Sequence, residues 1–291
     1  MIRKSPICWV TIITRGESGR RITASIPKKI RCPPSSTGRG KRLIRARLML
    51  IKACRPGKLP IRIGVNAGSL PPDIREKYGD ATPRSLAETA LREVGFIEKQ
   101  GYGEIKVSVK AFDVFTTRDA YRLLSESIDY PLHLGITEAG PPFAGTIRSV
   151  IGIGSLLLEG IGDTFRVSLT GPPLDEVRVG REILSVLNLR QFGPTIISCP
   201  TCGRCRIDLY SLVREVEEKL TELPQGVGAG LTIAVMGCEV NGPGEARQAD
   251  IGLAGAGASL VLFKNGLIRR RISASEAVDV LLEELRRGGD S

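Results

Sequence analysis

The chain has 291 residues and carries 42 Lys and Arg against 31 Asp and Glu, a formal charge of +11. The surplus sits in residues 1–58, with 16 bases and one acid, Glu17; residues 59–291 hold 26 bases and 30 acids. This asymmetry excludes a basic nucleic-acid-binding domain over the whole chain, and no run of about 18 apolar residues exists to cross a membrane.

Apolar residues make up 42% and charged residues 25%, as in a globular protein. Many glycines (34) and few aromatics (4%) suit an α/β protein with tight loops. Ile7–Ile13 is too short and too interrupted for a secretory signal, so a cytoplasmic location is expected. Residues 1–58 show no sustained helical or strand period and read as a basic, disordered or non-native segment, with Leu43–Ile51 a short helix or strand. Three readings stand for this stretch. It is a transit peptide, a nucleic-acid arm with Trp9 as its only aromatic, or foreign sequence from a wrongly entered reading frame.

From residue 59 the pattern becomes regular. Leu59–Asn66 reads as a strand, followed by a turn at Ala67–Leu70. Thr82-Pro83 reads as an N-cap and first helical position, and Leu86, Ala87, Ala90, Leu91, Val94 and Ile97 form one helical face ending before Gly101. Strands at Glu104–Lys110, Pro131–Ile136 and Phe165–Leu169 alternate with helices at Thr117–Ile128, Gly145–Gly160 and Leu174–Leu189. Alternation of this kind predicts a parallel sheet. Polar groups cluster at the strand ends, where barrel enzymes keep their functional residues, and no Gly-x-Gly-x-x-Gly follows the first strand. The expected architecture is α/β: residues 59–194 as the C-terminal half of a (β/α)8 TIM-type barrel, then a small α/β domain over residues 195–291. In that domain Thr195–Ser198, Leu231–Met236, Asp250–Leu253, Ser259–Lys264 and Leu267–Ile272 read as strands, and Ile207–Leu223 as a helix. Ser273–Glu276 reads as a capping box opening a last helix to about Arg287. Arg269–Arg271 reads as a solvated face.

Cys199-Pro-Thr-Cys202 places two thiols on one loop after a strand, and Cys238 follows another strand in a Gly- and Pro-rich turn, Met236–Glu245. Spacing alone leaves three chemistries open. They are a zinc site lacking the usual second Cys pair, a thioredoxin-like disulfide that ignores Cys238, and an iron–sulfur cluster with three Cys and a fourth ligand. Cys205 is either that fourth ligand or a bystander.

At these residues the sequence resembles the (E)-4-hydroxy-3-methylbut-2-enyl diphosphate synthases of the non-mevalonate isoprenoid pathway. Ile197–Arg204 and Met236–Ala246 look like that family's two cysteine signatures. The resemblance extends through Ile61–Ser69, Ser108–Lys110, Leu132–Gly140 and Arg166–Thr170, in register from residue 59 to about 290. It implies a [4Fe–4S] cluster held by Cys199, Cys202, Cys238 and Glu245, with Cys205 outside the set. It implies a two-electron reductive ring opening and dehydration of 2-C-methyl-D-erythritol 2,4-cyclodiphosphate. Electrons come from flavodoxin or ferredoxin, and a head-to-tail homodimer joins one chain's barrel to the other's cluster. Arg62, Lys110 and Arg166 are expected to bind the diphosphate, since a cation in an apolar strand is costly unless it faces a pocket. Asn66, Ser69 and Ser168 are expected as hydrogen-bond donors, His133 as a further contact of open direction, and Glu138 as the acid/base group. The family has further βα units before Arg62 that residues 1–58 do not match. A truncated or frame-shifted chain with poor turnover is therefore expected. The alternative is a non-catalytic iron–sulfur or zinc-binding interaction module.

Overall fold

The structure, a computed structural model, describes residues 14–15, 21–22, 38–224, 226–238, 248–257 and 259–288. The chain divides into two compact units, Met1–Ile183 and Leu184–Ser291.

In the first unit β1 (Thr14–Arg15) and β2 (Arg21–Ile22) form a short antiparallel ladder. Helix α1 (Gly38–Cys54) follows. It contains Leu43–Ile51, expected as a short helix or strand, and extends it at both ends within a segment otherwise read as disordered or non-native. Ile51 and Cys54 are buried. Arg47 lies one turn before Ile51, bonds Glu93 at 2.5 Å and stacks on Phe96. Arg55, just past the helix, donates to the carbonyls of Gln100 and Gly101. The docking face is thus partly made of arginines, whose stems pack while their heads pair. Ile44, Leu48 and Met49 lie exposed, which hides the apolar period.

Four βα units then run in order: β3 (Ile61–Asn66), α2 (Pro72–Tyr78) and α3 (Pro83–Glu98), β4 (Ile105–Lys110), α4 (Val114–Ser125), β5 (His133–Leu134), α5 (Pro142–Leu158), β6 (Thr164–Phe165) and α6 (Pro173–Val186). Helix α3 starts where the sequence places it: Thr82 Oγ1 accepts from Ser85 N while Ser85 Oγ accepts from Thr82 N. Helix α4 starts three residues before the expected Thr117, because the Asp113 carboxylate caps it by accepting from Thr116 N. All the strand pairings are parallel. β3 and β4 share six register pairs, a single bridge, Val107 to Leu132, links β4 to the β5 segment, and β5 pairs with β6. Ile61, Ile63, Val65, Ile105, Val107 and Val109 are buried, alternating along β3 and β4 on the side that carries α3 and α4.

The second unit has one sheet in the order β11-β10-β9-β8-β7: β7 (Thr195–Ser198), β8 (Thr232–Met236), β9 (Ile251–Ala256), β10 (Ser259–Lys264) and β11 (Leu267–Ile272). β7, β8 and β9 are parallel, and β9, β10 and β11 form an antiparallel meander. Helices α7 (Leu209–Thr221) and α8 (Ala277–Gly288) pack Leu212, Val216, Leu281 and Leu285 against Ile233, Val235, Leu253 and Leu262. Because α7 is the crossover between β7 and β8, both strands end on the same edge.

Candidate functional site

Parallel register decides which side chains share a face. Arg62 is opposite Lys106, Gly64 opposite Ser108, and Asn66 opposite Lys110. His133 is opposite Thr164, with Nδ1 2.9 Å from Thr164 Oγ1. These residues alternate with the buried apolar ones, so they lie on the other side of the sheet. Arg166 Nε donates to Ser168 Oγ at 3.1 Å. The structure therefore brings Arg62, Lys110, His133 and Arg166 together and adds Lys106, which the period-2 spacing from Lys110 would have revealed.

Lys110 is 4% exposed, and its Nζ has no hydrogen-bond partner among the described residues. Burial, then Arg166 and Arg62, push its pKa down to about 7. Burial pushes His133 down to about 3, helped by Lys110, Arg62, Lys106 and Arg166. Arg62 is lowered by burial and Arg166, and Lys106 by burial and Arg62. The neighbours that shift Lys106, Lys110 and His133 are all cations. Such a cluster is unfavourable when empty and suits a multiply charged anion, which would satisfy the orphaned ammonium.

Ser69 is placed differently from the other candidates. Its hydroxyl donates to Asn66 O at 3.0 Å, closing the 3-10 turn after β3. Glu138 stands apart as well. It is exposed on the turn after β5, it is not among the groups that shift Lys110 or His133, and its φ is 57°. A non-glycine residue in the left-handed region is uncommon and recurs at functional turns.

In the second unit, Cys199 follows β7 and Cys238 closely follows β8, its parallel neighbour. Gly237 N donates to Cys199 Sγ at 3.3 Å, and Arg206 N donates to Gly237 O, tying the two loops. Cys202 is exposed and begins a turn in which Cys205 N bonds Cys202 O. Cys205 Sγ points to Ile207 O at 3.3 Å and packs on the core, against Gly237. Cys199 packs on the same core and is also tied to Gly237. Among the described residues no three His, Cys, Asp or Glu side chains are grouped to hold a metal ion. Glu245 lies outside the described residues. The donor set nevertheless fits an iron–sulfur cluster in its chemistry: thiols at neighbouring strand ends, with a backbone N–H already aimed at one sulfur.

Fold and site thus define a two-unit α/β protein, with a cation-lined parallel sheet in one unit and cysteines at paired strand ends in the other. A family model described as the GcpE TIM-barrel domain matches residues 17–181, and one described as the GcpE protein C-terminal domain matches residues 195–287. The chain belongs to the GcpE family. It is 55% identical over 238 residues to a protein of Geobacter sulfurreducens, covering 82% of this chain and 66% of the relative. It is 49% identical over 259 residues to one of Caldanaerobacter subterraneus, covering 89% and 71%. A Thermodesulfovibrio yellowstonii protein is 50% identical over 238 residues, covering 82% and 67%. Each is named 4-hydroxy-3-methylbut-2-en-1-yl diphosphate synthase (flavodoxin). The chain spans about two thirds of the length of these relatives. The barrel-domain match begins inside the basic segment, at residue 17, well before residue 59, where the motif resemblance starts.

Proposed function

We propose that this chain carries the diphosphate-binding face and the cluster ligands of a 4-hydroxy-3-methylbut-2-enyl diphosphate synthase. The reaction is reductive ring opening of 2-C-methyl-D-erythritol 2,4-cyclodiphosphate, consuming two electrons and two protons and releasing water. The observation that carries this reading is the buried Lys110 amine, without a hydrogen-bond partner among the described residues, in the field of Arg62 and Arg166. A cyclic diphosphate is compact and dianionic and matches a cluster of cations on one face of the sheet.

Arg62, Lys110 and Arg166 hold the diphosphate, and Ser168 and Asn66 complete its hydrogen bonds. With a pKa of about 3, His133 is neutral at physiological pH and offers a hydrogen bond without adding charge. Its Nδ1 is engaged by Thr164, which fixes the ring. Ser69 serves this reading as the residue that shapes the turn holding Asn66. Glu138 is the acid/base group that passes a proton to the departing hydroxyl.

Cys199, Cys202, Cys238 and Glu245 would hold a [4Fe–4S] cluster, which supplies electrons and a Lewis acid when bound. The donor named for the relatives is flavodoxin, and we extend it to this chain. The five described cysteines are free thiols, as befits a reducing compartment. A homodimer completes the reading.

Anaerobic purification with iron and sulfide, followed by assay with reduced flavodoxin, tests it. A brown, air-sensitive protein that forms the product supports the assignment. A colourless zinc-loaded protein would end it.

A further inference from the structure

In a regular parallel ladder continuing from Val107–Leu132, the N–H of Val109 would bond the carbonyl of His133, and the N–H of Ala111 the carbonyl of Gly135. Neither bond is made. Val109 N donates to Tyr121 Oη at 3.2 Å, and Tyr121 Oη donates to His133 O at 2.5 Å. Ala111 N donates to Thr117 Oγ1 at 3.0 Å. The strands meet again where Thr137 N donates to Ala111 O at 3.3 Å. Thr117 and Tyr121 lie one turn apart on the buried side of α4. Tyr121 Oη thus bridges β4 and β5 where a ladder bond would be, while Thr117 Oγ1, which also donates to Ala111 O and Asp113 O, takes up the next N–H, just past β4, without reaching β5.

The gap falls beside Lys110. A Cβ at Gly135 would come within 2.7 Å of Lys110 Nζ, so the amine lies directly over Gly135, the residue just past β5. A glycine there and an opened ladder behind it are the two features that give the lysine its niche.

We propose that Tyr121, aided by Thr117, is a positioning residue: its hydroxyl wedges β4 from β5 and so sets Lys110 over Gly135 at the centre of the anion-binding face. The proposal rests on the diphosphate reading for its purpose, though not for its geometry. Without the wedge, Val109 N–H and His133 C=O can bond directly, since an orphaned buried pair is costly. The strands then close, the niche narrows, and the lysine is displaced toward solvent. Arg166 from beyond β6 and Arg62 from β3 act on the amine, the amine and Lys106 both act on His133 from β5, and Tyr121 of α4 acts on Arg62 from the helix side of the sheet. All but Tyr121 and the neutral His133 are cations.

The test is a lysine 13Cε NMR titration of the full chain, with Lys110 assigned by its loss in Lys110→Arg. In the unsubstituted protein the Lys110 midpoint is expected near its value of about 7. In Tyr121→Phe it is expected to rise by about one unit or more, and in Thr117→Val by less, in the same direction. Calorimetric titration with inorganic pyrophosphate at pH 7 should show about tenfold weaker binding for Tyr121→Phe. A midpoint unchanged in both variants overturns the proposal, even if their melting temperatures fall. If the unsubstituted chain does not bind pyrophosphate while the midpoint still moves, the wedge stands and the diphosphate reading fails.

Discussion

Replacing Lys110 with methionine should stabilise the empty protein at neutral pH. The apolar part of the side chain is kept, and an ammonium that is almost fully buried, with no hydrogen-bond partner among the described residues, is removed. In the unfolded chain the lysine titrates at its ordinary 10.5, and in the folded chain at about 7. Above pH 10.5 it is neutral in both states and contributes no charge penalty. As pH falls from 10.5 to about 7, the unfolded chain takes up a proton that the folded chain refuses, so folding loses stability. Below about 7 both states are charged and the loss is constant. A displacement of this size corresponds to a ceiling of about 5 kcal/mol. Side-chain relaxation and water entry bring a realistic gain for the methionine variant to about 2–3 kcal/mol. The assay is urea unfolding of both proteins between pH 7 and 10.5, a range in which His133 stays neutral. The advantage of Lys110→Met should grow steadily from the alkaline end towards pH 7. Pyrophosphate should narrow it at pH 7, because only the native lysine can pair with the anion. A difference that is flat with pH, or a variant less stable at pH 7 than at pH 10, would refute the reasoning.

Other outcomes follow from the same geometry. Gly135→Ala places a Cβ 2.7 Å from both Lys110 Nζ and the Arg166 carbonyl at a φ of 153°, so pyrophosphate binding should fall at least about tenfold by calorimetry. Cys205→Ser should keep the visible absorption of the reconstituted protein, whereas Cys199→Ser or Cys238→Ser should lose it, because Cys205 already packs against Gly237 and bonds Ile207 O. Arg47→Ala removes a half-buried pair with Glu93, whose pKa is raised by burial, and should destabilise the protein by about 1–2 kcal/mol in urea unfolding. Cys54, buried and with its thiol pushed up by burial, should resist alkylation in the native protein while Cys202 reacts quickly.

Much of this was legible in the sequence. The period-2 strand Ile61–Asn66, the Thr82-Pro83 helix start and the cation spacing in Ile105–Lys110 each follow local rules that the structure obeys. Two boundaries shifted: the Asp113 carboxylate capped α4 early, and α5 begins with Pro142 in its first turn, without a side-chain cap, rather than at Gly145. Ser273 and Glu276 do bond, at 2.7 Å, but α8 begins just beyond them, at Ala277. Helix α1 was legible only as Leu43–Ile51, helix or strand, because arginines form part of its docking face. Tyr121 left no signal, since a buried tyrosine on an amphipathic helix looks like any core residue until its hydroxyl is found between two strands. Cys205 could not be separated from the ligand candidates by spacing. The structure adds that its Sγ donates to Ile207 O, a bond that Cys199 and Cys202 do not show among the described residues.

The central claim is that the face bearing Arg62, Lys110 and Arg166 captures a cyclic diphosphate. It is tested most directly by calorimetric titration of this chain with 2-C-methyl-D-erythritol 2,4-cyclodiphosphate at pH 7 and low salt. The account predicts binding of one molecule per chain, weakened by salt and lost in Lys110→Met. Absence of binding, or binding that Lys110→Met leaves intact, would contradict it.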